Sequence, residues 1–240
     1  MYSKEFCDIY NEYGWAYFSI TMGQAILDYF KSNNIEIKRH LDLGCGVGTL
    51  CDFYYKQGIN TTGVDINEYM IQKCKEKNSN INFVVNNIEK FISSEKYDLI
   101  TMTCDVVNHI LDEDSLKKIF YNIYNMLNDD GYLIFDIINS NKLILNKQIV
   151  SNRDNNINVY YYMTDQNNLI NTNVKVVKDH TLVCEYDVLE KLYNDDLIKS
   201  MLEDSRFKLI KFASQILNEQ QRFKDKNYII CKKEAGDLHE

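Results

Sequence analysis

Three glycines stand at alternate positions in Asp42-Leu43-Gly44-Cys45-Gly46-Val47-Gly48, between a short apolar stretch and a predicted helix. Glycine has no Cβ, so it lets the backbone turn sharply and lets a ligand approach closely. The first N–H groups of the following helix have no partner within that helix and are free to meet a ligand. The spacing therefore predicts a binding loop for a nucleotide or a nucleoside.

Two ligand classes compete for this loop, a dinucleotide and S-adenosylmethionine. A dinucleotide loop of the form G-x-G-x-x-G needs its third glycine at position 49, which is Thr49, and it holds a pyrophosphate at the helix N-terminus. Asp42, two residues before Gly44, would repel a pyrophosphate and attract an ammonium group. Because S-adenosylmethionine carries an α-amino group and a sulfonium and has no phosphate, the sign of the charge favours it.

Two further polar positions follow the next strands. Asp65 ends a predicted strand after Gly46, where an acidic side chain can accept hydrogen bonds from both ribose hydroxyls of a nucleoside. Asp65 can equally cap the helix that begins near Asn67, so both roles stay open. Asn87 and Ile88 follow the third strand, where they can meet an adenine ring, although paired asparagines are also a turn signal.

These positions need a scaffold in which strands and helices alternate. The sequence predicts strands at 40–43, 61–65, 83–85, 97–102 and 132–138, and helices at 47–57, 67–77 and 114–127. Such alternation is typical of a parallel sheet.

The pattern changes after residue 150. Alternating Val, Tyr and Thr predict an antiparallel β insert over 150–193, followed by a helix at 194–203 and strands at 207–213 and 226–232.

The motifs together resemble those of class I S-adenosylmethionine-dependent methyltransferases. The glycine loop, Asp65 and Asn87 resemble motif I, motif II and the adenine-binding motif of that family, and Tyr97–Ile110 and Asp129–Asp136 resemble the next two strands. The resemblance covers about residues 1–140 and is nearest to bacterial small-molecule enzymes of the sugar N,N-dimethyltransferase and glycine N-methyltransferase type. It implies an α/β fold with a Rossmann-like, seven-stranded, mostly parallel sheet in the order 3-2-1-4-5-7-6 and an antiparallel β insert.

The resemblance also implies which residues meet the cofactor and the acceptor. The expected cofactor-binding residues are Asp42, Gly44, Cys45, Gly46, Gly48, Asp65, Ile66, Met70, Asn87, Ile88, Cys104 and Tyr17. The expected catalytic residues are His109, Asp105 and Asn108. His109 suits a base near pH 7, or alternatively a structural histidine. No metal site is expected, because the seven cysteines include no C-x-x-C pair.

One α/β domain can account for the whole chain of 240 residues. We expect residues 1–35 to form an N-terminal helical lid with a break near Gly14, although its aromatic residues suit core packing as well. Residues 36–140 form the expected cofactor-binding core, and 194–232 form its C-terminal end. The insert at 150–193 is expected to cover the mouth of the site or to form a dimer interface.

Charge and composition restrict the partners. A net charge of -8, a pI of about 5.1 and the lack of a basic cluster argue against a nucleic-acid partner. No apolar run approaches the ~20 residues that span a bilayer, and no signal peptide is evident. Scattered cysteines favour a reducing compartment. We expect a cytoplasmic monomer or homodimer that acts on a small molecule, without nucleic-acid or membrane partners.

The favoured function is S-adenosylmethionine-dependent methyl transfer to a nitrogen or an oxygen of a small molecule, by in-line displacement at the sulfonium methyl. Three alternatives stay open. An NAD-dependent oxidoreductase requires the third loop glycine that Thr49 replaces. A non-catalytic partner protein that binds S-adenosylmethionine would have an altered glycine loop, and a methyltransferase that acts on protein or RNA would have a basic groove or an added domain.

Overall fold

The computed structural model describes residues 3–13, 16–139, 148–152, 156–213 and 226–234. The helices in this part of the chain are α1 (Lys4–Tyr13), α2 (Ala16–Ser32), α3 (Thr49–Lys56), α4 (Glu68–Lys77), α5 (Glu113–Met126) and α6 (Asp195–Asp204). The helices predicted at 47–57, 67–77, 114–127 and 194–203 are thus confirmed to within about two residues. The break predicted near Gly14 lies outside the described residues.

The strands form a larger and a smaller sheet. They are β1 (Arg39–Leu43), β2 (Asn60–Asp65), β3 (Asn82–Val85), β4 (Tyr97–Met102), β5 (Leu127–Ile138), β6 (Gln148–Asn152), β7 (Ile157–Gln166), β8 (Leu169–Lys178), β9 (Thr181–Lys191), β10 (Lys208–Ala213) and β11 (Lys226–Lys232). The larger sheet has the order β10-β11-β5-β4-β1-β2-β3. Strands β1 to β5 are parallel to one another, and β11 is antiparallel to both of its neighbours, β10 and β5. This confirms the predicted seven-stranded, mostly parallel sheet and its order.

The centre of the larger sheet is buried on both faces. Residues 131–138 of β5 are all buried, as expected for a strand that helices cover on either side. Helices α5 and α6 supply the apolar side chains on one face, and α2 and α3 supply them on the other. The one charged residue in this run, Asp136, is fully buried and therefore needs polar partners.

The smaller sheet is the insert, and it confirms the predicted antiparallel hairpins with bounds at Gln148 and Lys191. Its order is β6-β7-β8-β9, and every pairing is antiparallel. Val159, Val174 and Val176 on its inner face are buried in a cluster that also contains Phe6 of α1. Helix α1 thus packs between the insert and helix α4.

The two N-terminal helices pack differently. Helix α2 buries Met22, Ile26 and Phe30 against the larger sheet, so it belongs to the core. Helix α1 packs on α4 and β9, and its Phe6 ring meets the Tyr186 ring edge-on with 4.9 Å between centroids. Within the described part of the chain, no helix is long and apolar enough to cross a membrane.

Candidate active site

The polar loops of the chain gather at one edge of the larger sheet. The parallel strands β1 to β5 end at this edge, and β11 begins there because it runs antiparallel to β5. The strand order reverses here, since β2 and β3 lie on one side of β1 while β4 and β5 lie on the other. Ligands of open α/β sheets bind in the crevice at such a reversal.

The three loop glycines all have positive φ angles, but the space around them differs. A Cβ on Gly44 would lie 2.5 Å from Val106 of the loop after β4, and a Cβ on Gly48 would lie 2.9 Å from Phe83 and Cys74. A Cβ on Gly46 would meet nothing within 4 Å. Gly44 and Gly48 are therefore needed for packing, whereas Gly46 leaves open surface over which a ligand can pass.

Asp65 connects the glycine loop to the start of α4. Its Oδ2 accepts a hydrogen bond from the Gly46 N–H at 2.8 Å, and its Oδ1 accepts one from the Asn67 N–H at 2.8 Å. Burial raises the pKa of Asp65, and these two N–H groups oppose the rise. The cap of α4 is Asn67, whose side-chain oxygen accepts from the Tyr69 and Met70 N–H groups. The Asp65 carboxylate therefore lies beside the open surface of Gly46.

Apolar side chains are exposed next to Asp65. Ile66 is 51% exposed and Val85, at the end of β3, is 47% exposed. Asn87 uses its Oδ1 to accept from the Glu89 N–H at 2.9 Å, and the partly buried Ile88 packs on the core. The ends of β2 and β3 thus offer an apolar patch beside a carboxylate, which fits the base and the ribose of a nucleoside.

Two residues of the expected cofactor-binding set point inward instead. The Cys45 side chain is buried in a cluster with Cys51 and Cys74, and the Cys45 N–H donates to the Val64 carbonyl. Met70 is 2% exposed and packs in the cluster under α1. Both side chains therefore support the loop from beneath, because α4 and α1 cover them.

Asp42 lies beneath the glycine loop in a buried chain of polar groups. The Thr101 hydroxyl donates to Asp42 Oδ1 at 2.7 Å and lies 2.8 Å from His40 Nε2. Because that hydroxyl hydrogen is used on Asp42, His40 donates from Nε2 to the Thr101 oxygen. Burial raises the pKa of Asp42 to about 7 and lowers that of His40 to about 3. The charge of Asp42 is therefore sensitive to pH near neutrality.

An open cavity of about 270 Å³ lies between the end of β4 and the inner face of the insert. Cys104, Asp105 and His109 line it from the β4 side, and Glu190 lines it from β9. The surrounding protein lowers the pKa of His109, and the Asp105 carboxylate opposes this effect. His109 is consequently neutral at pH 7 and able to accept a proton. The other walls of the cavity include the rings of Phe6, Tyr10, Tyr161 and Tyr186.

Asn108 and Tyr17 do not line this cavity. Asn108 is fully buried, its Nδ2 donates to the Lys191 carbonyl at 2.7 Å and its Oδ1 accepts from the Ile138 N–H at 3.1 Å. The catalytic role expected for Asn108 is thus replaced by a structural one, since both ends of its amide hold backbone groups of β5 and the insert. Tyr17 is 54% exposed at the start of α2.

The structure adds residues that the sequence analysis did not single out. Asp136 of β5, Lys226 of β11 and Glu190 of β9 all lie at or directly under the cavity. A charged residue in the apolar strand β5 was the available signal for Asp136. Lys226 becomes visible only once β11 is known to be antiparallel, because that brings the first residue of the strand to the site edge.

Comparisons with known proteins show the family of the chain. The family model described as a methyltransferase domain matches residues 15–188. A protein of Geobacillus sp. (strain WCH70), whose name describes a methyltransferase, is 34% identical over 110 residues, which cover 44% of this chain and 44% of that protein. The chain spans about half the length of the curated relatives that it matches.

Solved structures match over more of the chain. An S-adenosylmethionine-dependent methyltransferase from Clostridium acetobutylicum ATCC 824 has a TM-score of 0.77 at 23% identity, covering 89% of this chain and 91% of that one. The S-adenosylmethionine-bound amino pentose methyltransferase of Micromonospora echinaspora has a TM-score of 0.76 at 12% identity, covering 97% and 98%. At these identities the likeness shows a shared fold.

Proposed function

Since this chain belongs to the methyltransferase domain family, we propose that it is an S-adenosylmethionine-dependent enzyme that methylates the nitrogen of a small amine. The whole chain, 1–240, acts as one methyltransferase domain in the cytoplasm, as a monomer or a homodimer. Its acceptor is a small molecule, and neither a nucleic acid nor a membrane is its partner.

The described residues fit the cofactor. Gly46 leaves open surface at the loop, and Asp65 presents a carboxylate to the ribose hydroxyls. Asn87 and Ile88 border the space for the base. When bound, S-adenosylmethionine supplies a methyl group on a positively charged sulfonium. The buried Asp42 beneath the loop attracts the α-ammonium of its methionyl part.

The charge of the cavity carries the proposal of an amine acceptor. Its charged lining residues in the described part of the chain are the carboxylates Asp105 and Glu190, and these residues include no Lys or Arg. Tyr161 and Tyr186 add aromatic faces, which attract a cation by about 0.5–2 kcal/mol. Carboxylates and aromatic rings together favour an ammonium group over an anion.

The side chains near the end of β4 can prepare that amine for methylation. Asp105 binds the ammonium and orients its nitrogen. His109, neutral at pH 7, accepts the proton that the nitrogen must lose before its lone pair can attack. Holding the two reactants in line supplies the larger part of the rate, for which ~7–11 kcal/mol is available. The fold of an amino pentose methyltransferase, shared over nearly the whole chain, supports the same class of acceptor.

A matched pair of acceptors tests this function. Purified protein with S-adenosylmethionine is given 3-amino-3-deoxyglucose or glucose, and formation of S-adenosylhomocysteine is followed by mass spectrometry. We expect product with the amine alone. Asp105→Asn is expected to lower kcat/KM by about tenfold, the value of one hydrogen bond to a charged group. Asp114→Asn, at an exposed position on α5, serves as the control and should leave the rate unchanged.

Other outcomes would redirect the assignment. Methylation of hydroxyl acceptors with no amine accepted across a panel of amino sugars and simple amines would overturn the amine proposal and leave O-methylation. Tight binding of NADH in place of S-adenosylhomocysteine would instead favour an oxidoreductase.

Affinity for S-adenosylhomocysteine is expected to fall as pH falls through 7. The pKa of Asp42 is raised to about 7, so the carboxyl gains a proton below that pH and loses its attraction for the cofactor's ammonium. One pH unit below the pKa, binding should be about tenfold weaker. Isothermal titration between pH 7.5 and 5.5 measures this, and Asp42→Asn should lack the step near pH 7. An unchanged step in that variant would assign the titration to another group.

A further inference from the structure

Three charged side chains meet beneath the cavity. Lys226 Nζ lies 3.0 Å from Asp136 Oδ2 and forms a second ion pair with Asp105 Oδ1. The Asp136 side chain is fully buried, that of Lys226 is 9% exposed, and that of Asp105 is 25% exposed. The arrangement joins the loop after β4 to β5 and β11. Only Asp105 of the three lines the cavity.

Asp136 also holds the backbone of the loop that carries Asp105. Cys104 and Asp105 have φ angles of 66° and 63°, a left-handed conformation that is unfavourable for a residue with a Cβ. Asp136 Oδ1 accepts from the Cys104 N–H at 2.7 Å, and Oδ2 accepts from the Asp105 N–H at 3.0 Å. Backbone strain that surrounding groups maintain is a frequent property of functional sites.

The ion pairs keep the charges in place. Burial raises the pKa of Asp136, and Lys226 opposes that rise. Burial alone would lower the pKa of Lys226, but the two carboxylates outweigh it and raise this pKa well above its ordinary value. Removing one partner of such a buried set leaves an uncompensated charge, which is strongly unfavourable.

We propose that Asp136 and Lys226 are positioning residues that hold the Asp105 carboxylate in place and directed at the acceptor cavity. The inference rests on the proposed function, in which Asp105 binds the acceptor's ammonium. Asp136 shapes the loop by accepting hydrogen bonds from two of its N–H groups, and Lys226 bridges the Asp105 and Asp136 carboxylates through its two ion pairs. Helix α2 closes the other side with the Phe18 ring, whose centroid lies 5.4 Å from Lys226 Nζ.

Other ionisable groups lie around these three. They are the Cys104 thiol on the same loop, His109 in the turn beyond it, Tyr10 of α1 and Glu190 of β9. None of these described groups is a cation at pH 7, because the surrounding protein lowers the pKa of His109. Lys226 therefore provides the positive charge that faces both Asp105 and Asp136.

Carboxyl ¹³C NMR of aspartate-labelled protein tests the charge role without an acceptor. In Lys226→Met, the carboxyl of Asp136 is expected to titrate about one pH unit or more above its midpoint in the parent protein. Lys226→Arg should restore the parent midpoint. Lys232→Met removes a lysine from the far end of the same strand and should match the parent. Equal midpoints in Lys226→Met and the parent would overturn the proposal.

The loop role has its own measurement. Asp136→Asn is expected to speed hydrogen exchange at the Cys104 and Asp105 amides, while the affinity for S-adenosylhomocysteine stays within about threefold of the parent. Unchanged exchange at both amides in a folded Asp136→Asn protein would contradict the proposal.

Kinetics then connect the contacts of Lys226 and Asp136 with Asp105 to catalysis. With an amine that the parent protein methylates, Lys226→Met should shift the acid limb of the pH–kcat profile to higher pH, and Lys226→Arg should shift it back. An unmoved profile would overturn the link to Asp105. If no amine is methylated by the parent protein, the proposed function fails. The NMR and exchange results still decide whether Asp136 and Lys226 position the loop that carries Asp105.

Discussion

Replacing Asp65 with alanine is expected to weaken the binding of S-adenosylhomocysteine by about 100-fold or more. The substitution removes the carboxylate proposed to bind two ribose hydroxyls, and each hydrogen bond to a charged group contributes about 1.5–3 kcal/mol. It also removes the acceptor that holds the Gly46 and Asn67 N–H groups, so the loop loses part of its support. Isothermal titration gives the change in affinity directly.

Asp98→Ala is the matched control for this loss of support. Asp98 Oδ2 also accepts two backbone N–H bonds, from Lys38 and Arg39 at 2.9 Å each, but it lies at the opposite edge of the sheet, near the start of β4. We expect both variants to lose stability in thermal unfolding and only Asp65→Ala to lose affinity. Equal affinities of the two variants would show that Asp65 supports the loop without binding the nucleoside.

Gly46→Ala is expected to weaken binding of the same ligand by about 50-fold. Its added methyl enters open surface over which the cofactor is proposed to pass, and overpacking of this kind costs about 1–3 kcal/mol. The position also has a φ of +52°, so the free protein loses about 1–2 kcal/mol of stability. Affinity is measured by titration and stability by denaturant unfolding.

Gly58→Ala separates these two effects. Gly58 has a φ of +82° and, like Gly46, would place a Cβ where nothing lies within 4 Å, but it belongs to the turn after α3. Both alanine variants should lose similar stability, and Gly58→Ala should bind like the parent. If Gly46→Ala binds equally well, then the cofactor does not pass over this glycine.

The order of helices and strands followed from local patterns. The period of the apolar residues distinguishes strands from helices within a few residues of chain, and the family resemblance supplied the order of the sheet. The glycine loop was visible for the same reason, since its residues are adjacent in the sequence. The sequence did not show that Gly44 and Gly48 are needed for packing and that Gly46 leaves open surface. This difference depends on Val106 and Phe83, which come from other elements.

The direction of individual side chains needed the tertiary structure. Cys45 and Met70 stand in the predicted cofactor region, yet both pack inward because α1 and α4 cover them. Asn108 directly precedes His109, which lines the cavity, but it turns away to hold the backbone at Lys191 and Ile138. Neighbours in sequence thus have different roles, since a turn points successive side chains in different directions.

The sequence by itself determined the fold class, the glycine loop and the acidic residue at the end of β2, because each depends on local spacing. Only the tertiary structure decided the acceptor side of the site. Lys226 and Asp136 are 90 residues apart and meet because β11 runs antiparallel beside β5. Glu190 reaches the cavity because the insert folds back over the sheet edge. Contacts between distant segments leave no pattern in a single sequence, so the residues that meet in this way can be identified only once the strands are paired.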